Sequence, residues 1–212
     1  MSTLSRFASG IVLLTSCAYF LSASAAPNSQ DEMTQLEEVQ NGDFDQTRIK
    51  PNGKLAGKKI FIRVSGISFD DDWSRDFQNL ERHYKERIQK DYAELLLEQL
   101  RQGLVKSGYE IVGSEADADG VLDASLSDLR INGPELDVAS QIFVHNAGSA
   151  TLNLTLLDHN NQALMQVIDN RETRLKAGND LEWATRGSNY RDFRHLMKRW
   201  SEKATRLMKD FV

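Results

Sequence analysis

The chain has 212 residues, 26 Lys and Arg against 31 Asp and Glu, a formal net charge of −5 and a single cysteine, Cys17. Net acidity argues against general nucleic-acid binding, which needs a basic surface to release counterions from phosphates. One cysteine leaves no internal disulfide, so packing alone has to hold the fold.

Arg6 precedes an apolar run from about Phe7 to Leu21, followed by small residues from Ser22 to Ala26. Basic, apolar, then small is the order of a secretory signal. The run falls short of the roughly 20 apolar residues that span a bilayer. Two cleavage patterns overlap here. Leu14, Thr15, Ser16 and Cys17 resemble a lipobox, which would leave an acylated Cys17 at the mature N-terminus. Ala23, Ser24 and Ala25 fit an ordinary signal-peptidase site, with cleavage between Ala25 and Ala26. The apolar core reads most simply as continuing through Cys17 to Leu21, so cleavage after Ala25 is the expectation. Lipidation of Cys17 is the alternative, and its acyl chains would anchor the protein stably.

Residues 26–57 read as a polar leader or tether, with sparse apolar residues among acids and glycines. The alternative is that Phe44 and Ile49 dock onto the domain as an edge. Residues 58–212 read as one α+β domain. It opens with Ile60, Ile62 and Val64 alternating, as in a half-buried strand. The pattern resumes out of phase at Ile67 and Phe69, which predicts a bulge at Ser65 and Gly66.

A helical stretch follows, with Asp71 or Asp72 at its start. Its stripe runs from Trp73 through Phe77, Leu80, Tyr84 and Ile88 to Leu104, and Gly108 ends it. The length predicts a break near His83. Tyr109 to Val112 is a short strand. Leu122, Ala124 and Leu126 alternate, then Leu129 and Ile131 in the other phase, a second predicted bulge. Ala150, Leu152, Leu154 and Leu156 form the clearest strand. Asp158 to Asn161 is its turn, and Met165 to about Thr173 its hairpin partner. The last helix is expected from about Asn189 to Phe211, with Asn189 and Asp192 resembling a capping box. The fold predicted is α+β: a mostly antiparallel sheet of four to six strands, with two long helical elements packed on one face.

Chemical motifs are sparse. His83, His145, His159 and His195 stand in no metal-ligand spacing. Asp70, Asp71 and Asp72 lack the spacing of a calcium loop and suit a helix start. No nucleophile elbow, Ser-x-x-Lys pair or glycine-rich phosphate loop occurs. No catalytic residue, metal or cofactor is expected. From Arg191 to Asp210 the last helix carries seven Lys or Arg, a face that is usually solvated but suits anionic lipid or an acidic partner. The segment from Gly133 to Ser149 is long for a loop in a compact domain. Its Ile142, Phe143 and Val144, with the uncovered sheet face, are the candidate partner surface. The alternative is that these three residues pair as an extra strand and complete the sheet.

Several segments resemble the bacterial domain of unknown function 3313 family. They are Ile49, Lys50 and Pro51 before the first strand, Asp91 to Leu100 running into Ser107, Gly108 and Tyr109, and Ala118 to Asp128. Leu156 to Asp158, Gln162 to Leu164, Asp169 to Arg171, and Phe193 to Leu207 with Trp200 complete the likeness. The resemblance implies an envelope protein of a Gram-negative bacterium, often lipid-anchored, with no established enzyme activity and no functional residues to carry over. The chain departs from the family pattern at the lipobox. Ser16 replaces the usual glycine or alanine, and apolar Tyr19, Phe20 and Leu21 follow Cys17.

The resulting expectation is an exported, non-enzymatic, periplasm-facing binding or scaffold module. Its partner would be an envelope protein or a membrane surface, with direct membrane contact, as an outer-membrane lipoprotein, only if Cys17 is lipidated. A small envelope hydrolase with a non-contiguous catalytic site is the alternative.

Overall fold

The computed structural model describes residues 36–40, 42–78, 82–133, 143–173 and 182–212. Cys17, Ala25, Ala26 and Ile142 lie outside the described residues.

The fold is α+β. The strands are β1 (Glu37–Glu38), β2 (Gln46–Ile49), β3 (Lys59–Phe69), β4 (Glu110–Ile111), β5 (Gly120–Ile131), β6 (Phe143–Val144), β7 (Gly148–Asp158), β8 (Ala163–Glu172) and β9 (Glu182–Trp183). The helices are α1 (Asp71–Asp76), α2 (Arg82–Lys106) and α3 (Arg186–Met208). Seven strands form one sheet in the order β1-β2-β8-β7-β5-β3-β4, and β6 pairs β9 apart from it. The four to six strands expected are therefore corrected to seven. The sheet is mixed, because β3 runs parallel to both β4 and β5 while its other neighbouring pairs are antiparallel. Parallel neighbours need a crossover, and the helices α1 and α2 supply it between β3 and β4.

Both predicted phase slips are present. The β3–β5 register shifts between Val64 and Gly66. The β5–β7 register shifts between Ser127 and Arg130, where Asp128 adopts φ +53°. Each extra residue turns the following side chains back to the core. Ile60, Leu122, Leu126, Leu129, Leu152 and Leu154 are all buried on the helix-covered face. The opposite face is polar and bonded across strands. Asn170 Nδ2 donates to Thr151 Oγ1 at 2.7 Å, Asn153 Nδ2 to Ser127 Oγ at 3.1 Å, and Arg63 pairs Asp123 at 2.7 Å.

The later part of the leader takes the alternative reading, docking onto the domain: Phe44, Thr47 and Leu55 are buried, and β2, which ends at Ile49, pairs with β8. Few apolar residues suffice there because Asp45 makes up the difference with hydrogen bonds. Its carboxylate accepts from Asn170 N at 2.8 Å and from Arg171 Nη1 at 2.9 Å. Asp45 N donates to Asp169 Oδ1 at 3.0 Å.

Asp70 caps α1, accepting from Trp73 N at 2.9 Å. Asp71 and Asp72 follow in the first turn, where the helix dipole favours acids. The long helices α2 and α3 pack together at Gly103, where a Cβ would overlap Ser201 Oγ. Ser201 Oγ donates to Gln99 O at 2.8 Å across that contact. The expected capping box at Asn189 is corrected by one turn. Thr185 is the N-cap and Ser188 its reciprocal partner. Asn189 is buried instead, its amide directed at the Asn132 and Gly133 carbonyls.

Under α3 lies a buried carboxylate, Asp169 on β8, fully out of solvent. Trp200 Nε1 donates to its Oδ2 at 2.7 Å, and Arg171 Nη2 lies 2.7 Å from its Oδ1. Burial pushes its acidity weaker than an ordinary aspartate, while Trp200, Arg171 and the Asp45 amide pull the other way. Both oxygens are thus occupied by the protein itself, which makes Asp169 a lock between sheet, leader and helix.

Candidate functional site at the ribbon end

One end of the sheet collects several elements through side-chain bonds. Asn132, just past β5, donates to Asn146 Oδ1 at 2.7 Å, and Asn146 donates to Glu172 Oε2 at 3.3 Å. Thr173 Oγ1 accepts from Ala147 N at 2.8 Å and Gly148 N at 3.2 Å. On this base stands the β6–β9 ribbon. Its register places Phe143 opposite Trp183, and each is 52% exposed. Directly paired residues share one face of a ribbon, so two large rings present apolar surface side by side. Ser188 Oγ donates to the Trp183 carbonyl at 3.4 Å, tying the ribbon to the cap of α3.

The structure answers the sequence expectation for the segment in part. Phe143 and Val144 do form a strand, but in a separate ribbon with β9 rather than in the main sheet. Sequence reading missed Trp183. A two-residue strand has no period to detect, and the only signal was a large aromatic just before a helix.

Beside the ribbon, α2 and α3 frame a small cleft floored by Ile88 and Ile131. Tyr84, Tyr92 and Tyr190 wall it, and Arg186 Nη2 bonds Asp91 Oδ2 at 2.7 Å beside them. Burial, then neighbouring Tyr84, Asp91 and Tyr190, push ionisation of the Tyr92 hydroxyl far above its ordinary range. Tyr92 therefore remains a neutral donor. Asn189, 4% exposed, also lines the cleft, and its Oδ1 is buried with no hydrogen-bond partner among the described residues. The volume, about 30 Å³, suits one or two waters rather than a metabolite. The cleft can seat a water or the tip of a partner side chain.

The remaining candidates separate. His83, His145, His159 and His195 are all exposed, on α2, just past β6, in the β7–β8 turn and on α3. Asp70 is engaged by Trp73 N and by Arg130 at 3.2 Å. Among the described residues no three His, Cys, Asp or Glu side chains group as metal ligands.

No family model matches the chain, and no curated protein matches it. Solved structures give loose likenesses. A PelC dodecamer from Paraburkholderia phytofirmans shares 10% identity at a TM-score of 0.35, covering 77% of this chain and 95% of that one. A neuraminyllactose-binding hemagglutinin homolog from Helicobacter pylori shares 12% identity at a TM-score of 0.37, covering 73% and 87%. Overlap this loose carries no information on ligand or assembly.

Proposed function

We propose that this protein is an exported, non-enzymatic binding module of the cell envelope, facing the periplasm, with the ribbon end as its partner surface. The observation that carries this reading is the Phe143–Trp183 pair. Two half-exposed rings in register, on a ribbon stitched to a helix cap, form a preorganised apolar anchor. The signal-like N-terminus supports export. Val144, next on β6, turns to the other side of the ribbon, and Ile142 lies outside the described residues.

Two measurements test it. The intact mass of the protein recovered from the envelope of a Gram-negative host is expected to lack residues 1–25. A mass ending in acylated Cys17 would replace that with outer-membrane anchoring, and an uncleaved cytoplasmic chain would end the export reading. The second is truncation of the anchor. Because both rings are half exposed, Phe143→Ala with Trp183→Ala is expected to change stability by only about 1 kcal/mol. Recovery of an envelope partner from cross-linked cells should fall at least tenfold. Full recovery with the double variant would rule out the ribbon as the binding surface.

A further inference from the structure

The outer face of α3 is basic along its length. Arg194, Lys198, Arg199 and Arg206 are exposed on it, with Lys209 just beyond, and Glu202 is the acid among them. This strip belongs to a chain whose net charge is −5. Several cations are uncommitted: the side chains of Lys198, Arg199 and Lys209, and of Lys106 at the neighbouring end of α2, make no hydrogen bond or ion pair among the described residues. Two grooves flank the helix. One, about 340 Å³, is lined by Lys106, Arg206 and Lys209 with Glu202; the other, about 260 Å³, by Arg171, Arg199 and Lys203 above the buried Asp169. Arg206, Arg171 and Lys203 already meet Asp43, Asp45 or Asp169, so Lys106 and Lys209 in the first groove and Arg199 in the second are the cations left for a phosphate-sized group.

The chain also enters the fold beside this strip. Lys203 Nζ donates to the Asp43 carbonyl and lies 5.5 Å from the Phe44 ring centre, and Arg206 Nη1 is 4.0 Å from Asp43 Oδ2. With residues 1–25 removed, as expected, attraction to a bilayer has to come from this face itself, which runs about 35 Å along α3; an acylated Cys17 would only add to it.

We propose that the outer face of α3 lies on an anionic lipid bilayer, its cations meeting phosphodiester headgroups in the two grooves. This surface is distinct from the ribbon end and does not rest on that reading. Attraction of this kind is screened by salt and grows with each cation near the surface.

The test is sedimentation of the mature full chain with vesicles of phosphatidylcholine carrying about one-third phosphatidylglycerol, against phosphatidylcholine alone. The wild type is expected to prefer the anionic vesicles and to lose that preference in high salt. Lys198→Glu, Arg199→Glu and Lys209→Glu together should lower partitioning roughly a hundredfold, with the unfolding temperature unchanged. The milder Lys198→Gln with Lys209→Gln should lower it roughly tenfold, and Lys198→Arg with Lys209→Arg should preserve it. The Phe143→Ala, Trp183→Ala variant should bind vesicles as the wild type does. Equal binding of wild type and the triple reversal, or no preference of the wild type for anionic vesicles, overturns the proposal. Retention on polyglutamate without vesicle binding overturns it too, in favour of an acidic polypeptide.

Discussion

Trp200→Ala is expected to destabilise the protein by about 5 kcal/mol, lowering the unfolding temperature by about 10 °C or more. Two losses add. The indole is 1% exposed in the core between α3 and the sheet, and truncating a buried tryptophan costs about 3–5 kcal/mol. The indole N–H is also the donor to Asp169 Oδ2 at 2.7 Å. Without it a buried carboxylate loses a partner, worth about 1–3 kcal/mol. Trp200→Phe separates the terms, since it keeps most of the volume and removes only the donor. It should cost clearly less than the alanine change in denaturant titrations, and equal costs would mean that the packing argument is wrong.

The pH dependence carries the electrostatic part of the same result. Asp169 in the fold holds its proton more tightly than the ordinary aspartate value of 3.8. Its contribution to stability is therefore fully present below that value. It is lost as pH rises through the folded value, because the folded state then has to ionise a buried group. Trp200→Phe removes a hydrogen bond that favours the carboxylate, so the window of loss should extend to higher pH. Stability measured across mildly acidic pH for wild type and Trp200→Phe reads this directly. Parallel curves would show that the indole does not stabilise the charged form.

Much of the main sheet was legible because side-chain period is a local property. Alternation at Ile60, Ile62 and Val64, and its change of phase after Ser65, are written in adjacent residues, as is the slip between Leu126 and Leu129. Strand direction is not. The same alternating β5 serves a parallel neighbour on one side and an antiparallel one on the other. The leader stays open between tether and docked edge in the sequence for a related reason. Its strand β2 is held by Asp45 and by partners more than 120 residues away, and no local pattern announces such bonds. Asp169 looked like one more polar hairpin residue, since its burial depends on Trp200 and on Asp45. Asn189 suited a cap by type, but Thr185 stands a turn earlier with Ser188 at the reciprocal distance. At the ribbon end, Phe143 is legible as an apolar residue in a segment long for a loop. Its partner Trp183 was invisible, because pairing between residues so far apart in sequence is set by tertiary structure alone.

Gly148→Ala is expected to cost about 4 kcal/mol or more, concentrated at the end of the sheet that carries the ribbon. Gly148 begins β7 opposite Ile131, just beyond the slip in the β5 register. Its φ of +137° is a conformation that side chains other than glycine rarely adopt, at a cost of about 1–3 kcal/mol. A Cβ there would overlap the Arg130 carbonyl oxygen and approach its carbon to 2.9 Å and Ile131 Cα to 3.1 Å. These are backbone atoms in a paired strand, so no rotamer change relieves the contact, and overpacking of this kind adds about 1–3 kcal/mol. The strands must move apart, which also strains the Thr173 hydroxyl bonds to Ala147 N and Gly148 N. Gly66→Ala is the control, because a Cβ there meets nothing within 4 Å and its φ is not in the left-handed region. It should leave stability within about 0.5 kcal/mol. Thermal unfolding of the two variants, with amide exchange followed in β7 and β9, separates them. A Gly148→Ala protein as stable as Gly66→Ala, with β9 amides protected as in wild type, would show that the end of the sheet yields without loss and is not the rigid base on which the ribbon stands.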